Sequence, residues 1–310
     1  MKVGISIGTT FDPGESKDAA RWVLAQADAA VGAGLESLTV GDHHSTGPFV
    51  YLQNVPLIGR ILGAWGQRPV GCLFLVPLWH PVLMAEQIGT LAAMAAAPFI
   101  IQIGVGAGQA QFAAMGRDLR ESGARTERGI RLVKALLDGE IVDDDEWNIK
   151  GAHIAPLPVD GTEWWIGGGV PRSIDRAARL GTCWYANADL TLESAARAMD
   201  LYREACARHD VHPTRIPIRK DVIIAEDRAE AERLGDSLMA AGYRGFERGA
   251  VAYGDPQAVA EQLAPFGDLG FTDVIIRTMT RAQSAVRTVA LAGELRAILA
   301  RDGSDSCSDV

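Results

Sequence analysis

Apolar residues fall along this chain in short runs, separated by segments whose apolar positions recur every three or four residues. The runs predict strands at residues 3–7, 37–40, 70–76, 99–105, 164–166, 183–186, 216–225 and 273–277. Between the first two, Ala19, Val23, Ala27, Ala30 and Val31 mark one face of a helix, and Gly32 and Gly34 stand where helix-stopping glycines belong. Phe99-Ile100-Ile101-Gln102-Ile103 is apolar on successive residues, as expected when helices cover both faces of a parallel strand. Strand and helix alternate throughout, and eight such units in about 300 residues predict a (β/α)8 TIM barrel. A doubly wound open sheet is the alternative. Its glycine-rich dinucleotide turn is missing after the first strand, where Gly8-Thr9-Thr10-Phe11-Asp12-Pro13-Gly14 stands instead.

Two stretches depart from a minimal barrel and predict insertions after strands 4 and 7. Residues 140–158 are polar, with Asp143-Asp144-Asp145-Glu146 and then Trp147, and residues 241–253 are irregular and glycine-rich. Long connections in a compact domain serve as lids, binding loops or interface pieces. The acidic run reads more readily as a solvated face than as a metal site. A single domain is expected over residues 1–300, followed by a disordered tail at 301–310. Residues 87–116 carry no charge, but Pro98, the glycines from Gly104 to Gly108, and Gln102, Gln109 and Gln111 argue for a buried helix and strand over a membrane span.

The net charge of −9 disfavours nucleic acid and anionic membranes as partners. Cys72, Cys183, Cys206 and Cys307 are widely spaced, which argues against a disulfide framework or thiolate metal site and fits a reducing compartment. With a first strand at the N-terminus in place of a signal peptide, a cytoplasmic location is expected.

Candidate chemistry sits at strand ends. Asp42-His43-His44 follows the second run, and residues just past a barrel strand read as catalytic candidates; a loop cap with solvated histidines is the structural alternative. Gly104-Val105-Gly106-Ala107-Gly108 follows the fourth run, suiting either a tight turn or close approach of a ligand. Gly167-Gly168-Gly169-Val170-Pro171-Arg172-Ser173 follows the fifth, where free N–H groups at a helix start would suit a phosphate. Trp79 and His80 close the third unit. A metal held by Asp42 and His44 in a (β/α)8 hydrolase is a competing reading, with His43 pointing the other way.

Taken in order, Thr39-Val40-Gly41-Asp42-His43-His44, Leu75-Val76-Pro77-Leu78-Trp79-His80-Pro81-Val82 with Ala85-Glu86-Gln87, Gly104–Gly108, Ile166-Gly167-Gly168 and residues 254–263 resemble the bacterial luciferase-like monooxygenases and F420-dependent oxidoreductases. That resemblance implies a barrel using reduced FMN with O2, or reduced coenzyme F420, on a small organic substrate. It implies His43 as the catalytic residue beside the flavin. It makes Asp42, Cys72, Leu73, Gly106, Ala107, Gly108, Gly167, Gly168, Gly169, Val170 and Arg172 cofactor-binding, with a non-prolyl cis peptide at Cys72-Leu73 behind the ring. Phe74, Trp79 and Gln109 are the substrate-side candidates. Expected partners are a separate flavin or F420 reductase and further copies of the chain as a homodimer or larger homo-oligomer. A non-catalytic flavin-binding barrel is the remaining alternative. Gln109 stands where the family's deazaflavin-dependent sugar-phosphate dehydrogenases carry a glutamate acid, and a glutamine cannot donate a proton as an acid does. Ala95-Ala96-Ala97-Pro98 likewise lacks the Ser-x-Gly-Arg that members often show before the fourth strand.

Overall fold

The structure, a computed structural model, describes residues 1–305. In chain order its first half comprises β1 (Lys2–Ile7), β2 (Thr10–Phe11), α1 (Ser16–Gly32), β3 (Leu38–Val40), β4 (Val50–Tyr51), α2 (Asn54–Trp65), β5 (Val70–Leu75), α3 (Pro81–Met94), β6 (Phe99–Gly104), α4 (Gln109–Ala114), α5 (Ser122–Leu137), β7 (Val142–Asp144) and β8 (Ile149–Ala152). Then come β9 (Thr162–Gly167), α6 (Pro171–Leu180), β10 (Cys183–Tyr185), α7 (Leu192–His209), β11 (Pro217–Ile224), α8 (Arg228–Ala240), β12 (Val251–Gly254), α9 (Pro256–Asp268), β13 (Asp273–Thr278) and α10 (Ala282–Asp305).

Eight strands lie side by side in the order β10-β9-β6-β5-β3-β1-β13-β11, every pair parallel. A bridge between Ala186 and Ile218 joins the two ends and closes the barrel. The eight predicted strand runs are these eight strands. β12 adds in parallel along the second half of β11, pairing Asp221 with Val251 through Ile224 with Gly254.

Side chains alternate across the barrel wall. Ile101, Ile103, Trp164, Ile166, Trp184 and Ile276 join the large core beneath the helices, whereas Ile100, Trp165, Cys183 and Ile275 form a separate cluster within the barrel. The barrel's amino end is closed by Arg215, which spans Asp273 at 2.6 Å and Glu163 at 3.1 Å and lies over Trp165.

Above the carboxyl end, β2 and β4 form a short antiparallel ribbon, Thr10 opposite Tyr51 and Phe11 opposite Val50. Between β6 and β9, the hairpin of β7 and β8 carries the acidic run. Two of its four carboxylates turn back onto α5, Asp144 pairing with Arg128 and Glu146 with Arg125. Among the described residues no group of three His, Cys, Asp or Glu side chains gathers as a metal site. No described helix is long and apolar enough to cross a membrane. α10 carries helical backbone through Asp305, into the stretch expected to be disordered; residues 306–310 lie outside the described residues.

Candidate active site

Asp42 leaves the end of β3 and turns into the structure, 1% exposed. Its Oδ2 accepts hydrogen bonds from Leu75 N at 2.8 Å and Trp79 Nε1 at 2.7 Å, tying the end of β3 to the end of β5. Oδ1 lies 3.2 Å from His44 Nε2. The carboxylate expected on the cofactor is therefore engaged by protein donors. Trp79 is likewise an anchor, its ring edge-on to both His44 and Phe74.

His43 points the other way. Its ring stacks on Tyr51 with centroids 4.6 Å apart and planes 7° from parallel. Nδ1 faces the carbonyl of Asp42 in a short contact, so this nitrogen carries the ring proton and Nε2 is left as the acceptor. Gln53 holds the His43 carbonyl at 3.0 Å. Crowding by the barrel wall lowers the imidazole pKa, and the positive charges of Arg277 and Arg244 lower it further against the opposing pull of Asp42. His43 is thus neutral near pH 7.

A cavity of about 510 Å³ opens at the same carboxyl end. It collects Leu73 from β5, Gly104 at the end of β6 and Gly106 after it, Gly167 at the end of β9 with Gly168 and Val170 after it, Arg172 from α6, and Arg219 from β11. Gly106 and Gly108 have φ of +82° and +89°, a region that disfavours other residues. At Gly168 the requirement has another source: an added Cβ would sit 2.1 Å from Ser173 Oγ. That hydroxyl binds both N–H and carbonyl of Val170, fixing the entry to α6. A Cβ on Gly169 would in turn meet Asn187 Nδ2 at 2.8 Å.

Several expected residues stand elsewhere. Cys72 and Phe74 are 0% exposed and belong to the core beneath the helices, because alternation sends them outward while Leu73 faces the cavity. The Cys72-Leu73 peptide is trans, the cis bonds being Gly47-Pro48 and Ala155-Pro156; here β5 runs in unbroken register with Ile101 and Gln102 of β6. Ala107, Gly108 and Gln109 are exposed and do not line the cavity. The nearby glutamine that reaches the site is Gln111, whose Oε1 accepts from His44 N at 2.8 Å.

The sequence reading missed an arginine group at the mouth. Arg219 binds the fully buried Asp221 at 3.0 and 3.3 Å, and Tyr243 donates to the same carboxylate at 2.9 Å. Arg277 on β13 and Arg244 in the turn Tyr243–Gly245 complete it. The signal was present: in Pro217-Ile218-Arg219-Lys220-Asp221-Val222, Arg219 and Asp221 stand two apart and so share one face of the strand, with Lys220 on the other. The hydroxyl of Tyr185, which lines the cavity, is buried without a hydrogen-bond partner of good geometry, and burial foremost pushes its pKa up to about 12.

Comparison with known proteins fits this geometry. The family described as luciferase-like monooxygenase matches residues 1–262. An FMNH2-dependent dimethylsulfone monooxygenase of Pseudomonas fluorescens (strain Pf0-1) is 24% identical over 221 residues, 70% of this chain and 59% of that protein. An F420-dependent glucose-6-phosphate dehydrogenase of Mycobacterium avium (strain 104) is 29% identical over 53% of this chain and 52% of its own length. The chain thus spans between half and three-fifths of these curated relatives. Among solved structures, monooxygenase RslO1 from Streptomyces bottropensis superposes with a TM-score of 0.78 at 19% identity, over 95% of this chain and 98% of that one.

Proposed function

Since the chain belongs to the luciferase-like monooxygenase family, we propose that it is an oxidoreductase using reduced FMN with O2, or reduced coenzyme F420, on a small organic substrate. The observation that carries this reading is the 510 Å³ cavity, whose wall joins Leu73, the Gly106 loop and the glycine turn before α6. Its size lies within the range of cofactor sites, about 300–1,000 Å³. Its walls fit a flat ring with an anionic tail: Leu73, Ile103 and Val105 are apolar, while the glycine turn and the N-terminal end of α6 meet the cavity beside Arg172. The buried Tyr185 hydroxyl on this wall, with Gln102 beside it, is a polar atom that a ligand would meet.

When bound, the cofactor supplies the redox chemistry. The chain's own part is binding, orientation and proton handling. Asp42 fixes the spacing of β3 and β5, and the glycine turn and Arg172 hold the anionic tail. His43 Nε2, with Nδ1 committed to the Asp42 carbonyl, accepts or returns a proton at the mouth. A separate reductase delivering the reduced cofactor belongs to the proposal. The metal-hydrolase reading lacks a third ligand for Asp42 and His44, since among the described residues no group of three His, Cys, Asp or Glu side chains gathers.

Spectrophotometric titration of the purified chain tests this. One of FMN and F420 should bind in the micromolar range or tighter, and binding of neither overturns the reading. Arg172→Ala should weaken FMN but leave riboflavin, which lacks the phosphate, nearly unchanged; equal loss for both would reject the tail assignment.

A further inference from the structure

The chain carries a net charge of −9, yet three guanidinium groups converge at the barrel mouth on one buried carboxylate. Asp221 takes two hydrogen bonds from Arg219 and lies 3.8 Å from Arg244. Arg277, among the described residues, forms no ion pair. Burial depresses its pKa, and repulsion from Arg219 and Arg244 adds to that against the pull of Asp221. Holding Arg277 and Arg219 partly out of water beside one another, with Arg244 above them, is costly unless an opposite charge completes the set.

Open space lies beside these groups. A pocket of about 250 Å³ is lined by Arg277 and Arg244 with Gly8, Thr10 and Met279. A second, of about 260 Å³, is lined by Arg219 and Arg244 with Tyr185 and Phe246. The second pocket shares Arg219, Tyr185 and Asn187 with the 510 Å³ cavity and so adjoins it, and Arg244 links the first pocket to the second. Neither pocket includes the glycine turn or Arg172. Arg277 and Arg244 therefore lie outside the cavity that holds the glycine turn and Arg172, while Arg219 borders both.

We propose that Arg277, Arg244 and Arg219 bind an oxyanion of the substrate, so that the substrate class is small organic carboxylates, sulfonates or phosphate esters. Planar guanidinium forks match these groups through paired charge-assisted hydrogen bonds. Asp221 and Tyr243 hold Arg219 and the turn bearing Arg244 in place, while Arg277 keeps its donors for the ligand. The adjoining cavity then receives the organic remainder of the substrate against the cofactor. This assignment rests on the flavin reading for the cofactor's place, but its test separates the two.

The experiment is isothermal titration of the full chain with FMN present, at constant ionic strength, using butanesulfonate, pentanoate and butyl phosphate, and butyl methyl sulfone as uncharged control. At least one anion should bind and the sulfone should not. Arg277→Met should weaken that anion by about 10- to 100-fold, with Arg277→Lys recovering part of the loss. Arg244→Gln, in an exposed turn, should weaken it in the same direction and stands alone if the Arg277 variants fail to fold. Binding of no anion, equal binding of the sulfone, or unchanged affinity in the variants that fold overturns the proposal. Loss of preference for FMN over riboflavin in Arg277→Met also overturns it, because the arginines would then serve the cofactor phosphate. Failure of FMN itself to bind the parent protein counts against the cofactor reading, and the anion titrations then stand by themselves.

Discussion

His43 combines an exposed position, a stacked partner and a fixed tautomer, which suit proton transfer and contribute little to the core. His43→Ala is therefore expected to keep the melting temperature and cofactor affinity of the parent while turnover falls about 10²- to 10⁴-fold. Unchanged turnover would remove His43 from the mechanism. Its lowered pKa also sets a sign. The folded imidazole stays neutral below the ordinary value of 6.5, so a step that needs the neutral ring weakens only in more acidic solution. In that acidic window the unfolded chain binds the proton that the folded chain refuses, and stability falls as pH is lowered through 6.5. Arg277→Met removes one of the charges that depress the pKa, so an NMR titration of His43 should shift upward. A shift downward, or none, would mean that the two groups do not face each other. Position at a strand end was enough to place Asp42 and His43 just past β3, at the carboxyl end of the barrel, from the sequence. What each side chain does depended on direction: Cys72 and Phe74 flank Leu73, and one step along a strand exchanges cavity for core.

At the scale of elements, the eight barrel strands were legible because both faces are buried and each reads as an apolar run; in β6, Phe99 to Ile103 are all buried. The β2–β4 ribbon was not legible, since each strand is two residues long and its partner lies some forty residues away. β12 hid for a related reason, four residues placed by pairing with β11 within a stretch dominated by turns. Close strand contact also fixes a residue type that pattern alone leaves open. A Cβ on Gly71 would fall 1.8 Å from the carbonyl oxygen of Ile100 on the neighbouring strand, an obstacle that cannot swing away. Gly71→Ala is expected to destabilise by at least about 1–3 kcal/mol through forced separation of β5 and β6. Urea unfolding measures this, and a midpoint equal to the parent's would show that the pair tolerates the methyl group.

For the whole molecule, charge is divided between the two ends of the barrel. At the carboxyl end the arginines exceed their carboxylate, whereas at the amino end Arg215 is matched by Glu163 and Asp273 and closes the barrel over Trp165. One end is left for a ligand to complete, and the other is complete within the chain. Arg215 joins the loop before β11 to the starts of β9 and β13, so the contact links elements 52 and 58 residues from it in sequence. Asp273 is almost fully buried; Asp273→Ala leaves the guanidinium facing Glu163 alone, and breaking a buried pair of this kind costs about 3–5 kcal/mol. The mouth lies at the opposite end and its arginines keep their partner. Cofactor affinity under native conditions should therefore match the parent's while the unfolding midpoint drops. If the barrel is one cooperative domain, tryptophan fluorescence and far-ultraviolet circular dichroism will shift together in that variant. Separation of the two signals would instead show that part of the barrel unfolds by itself once Arg215 loses Asp273.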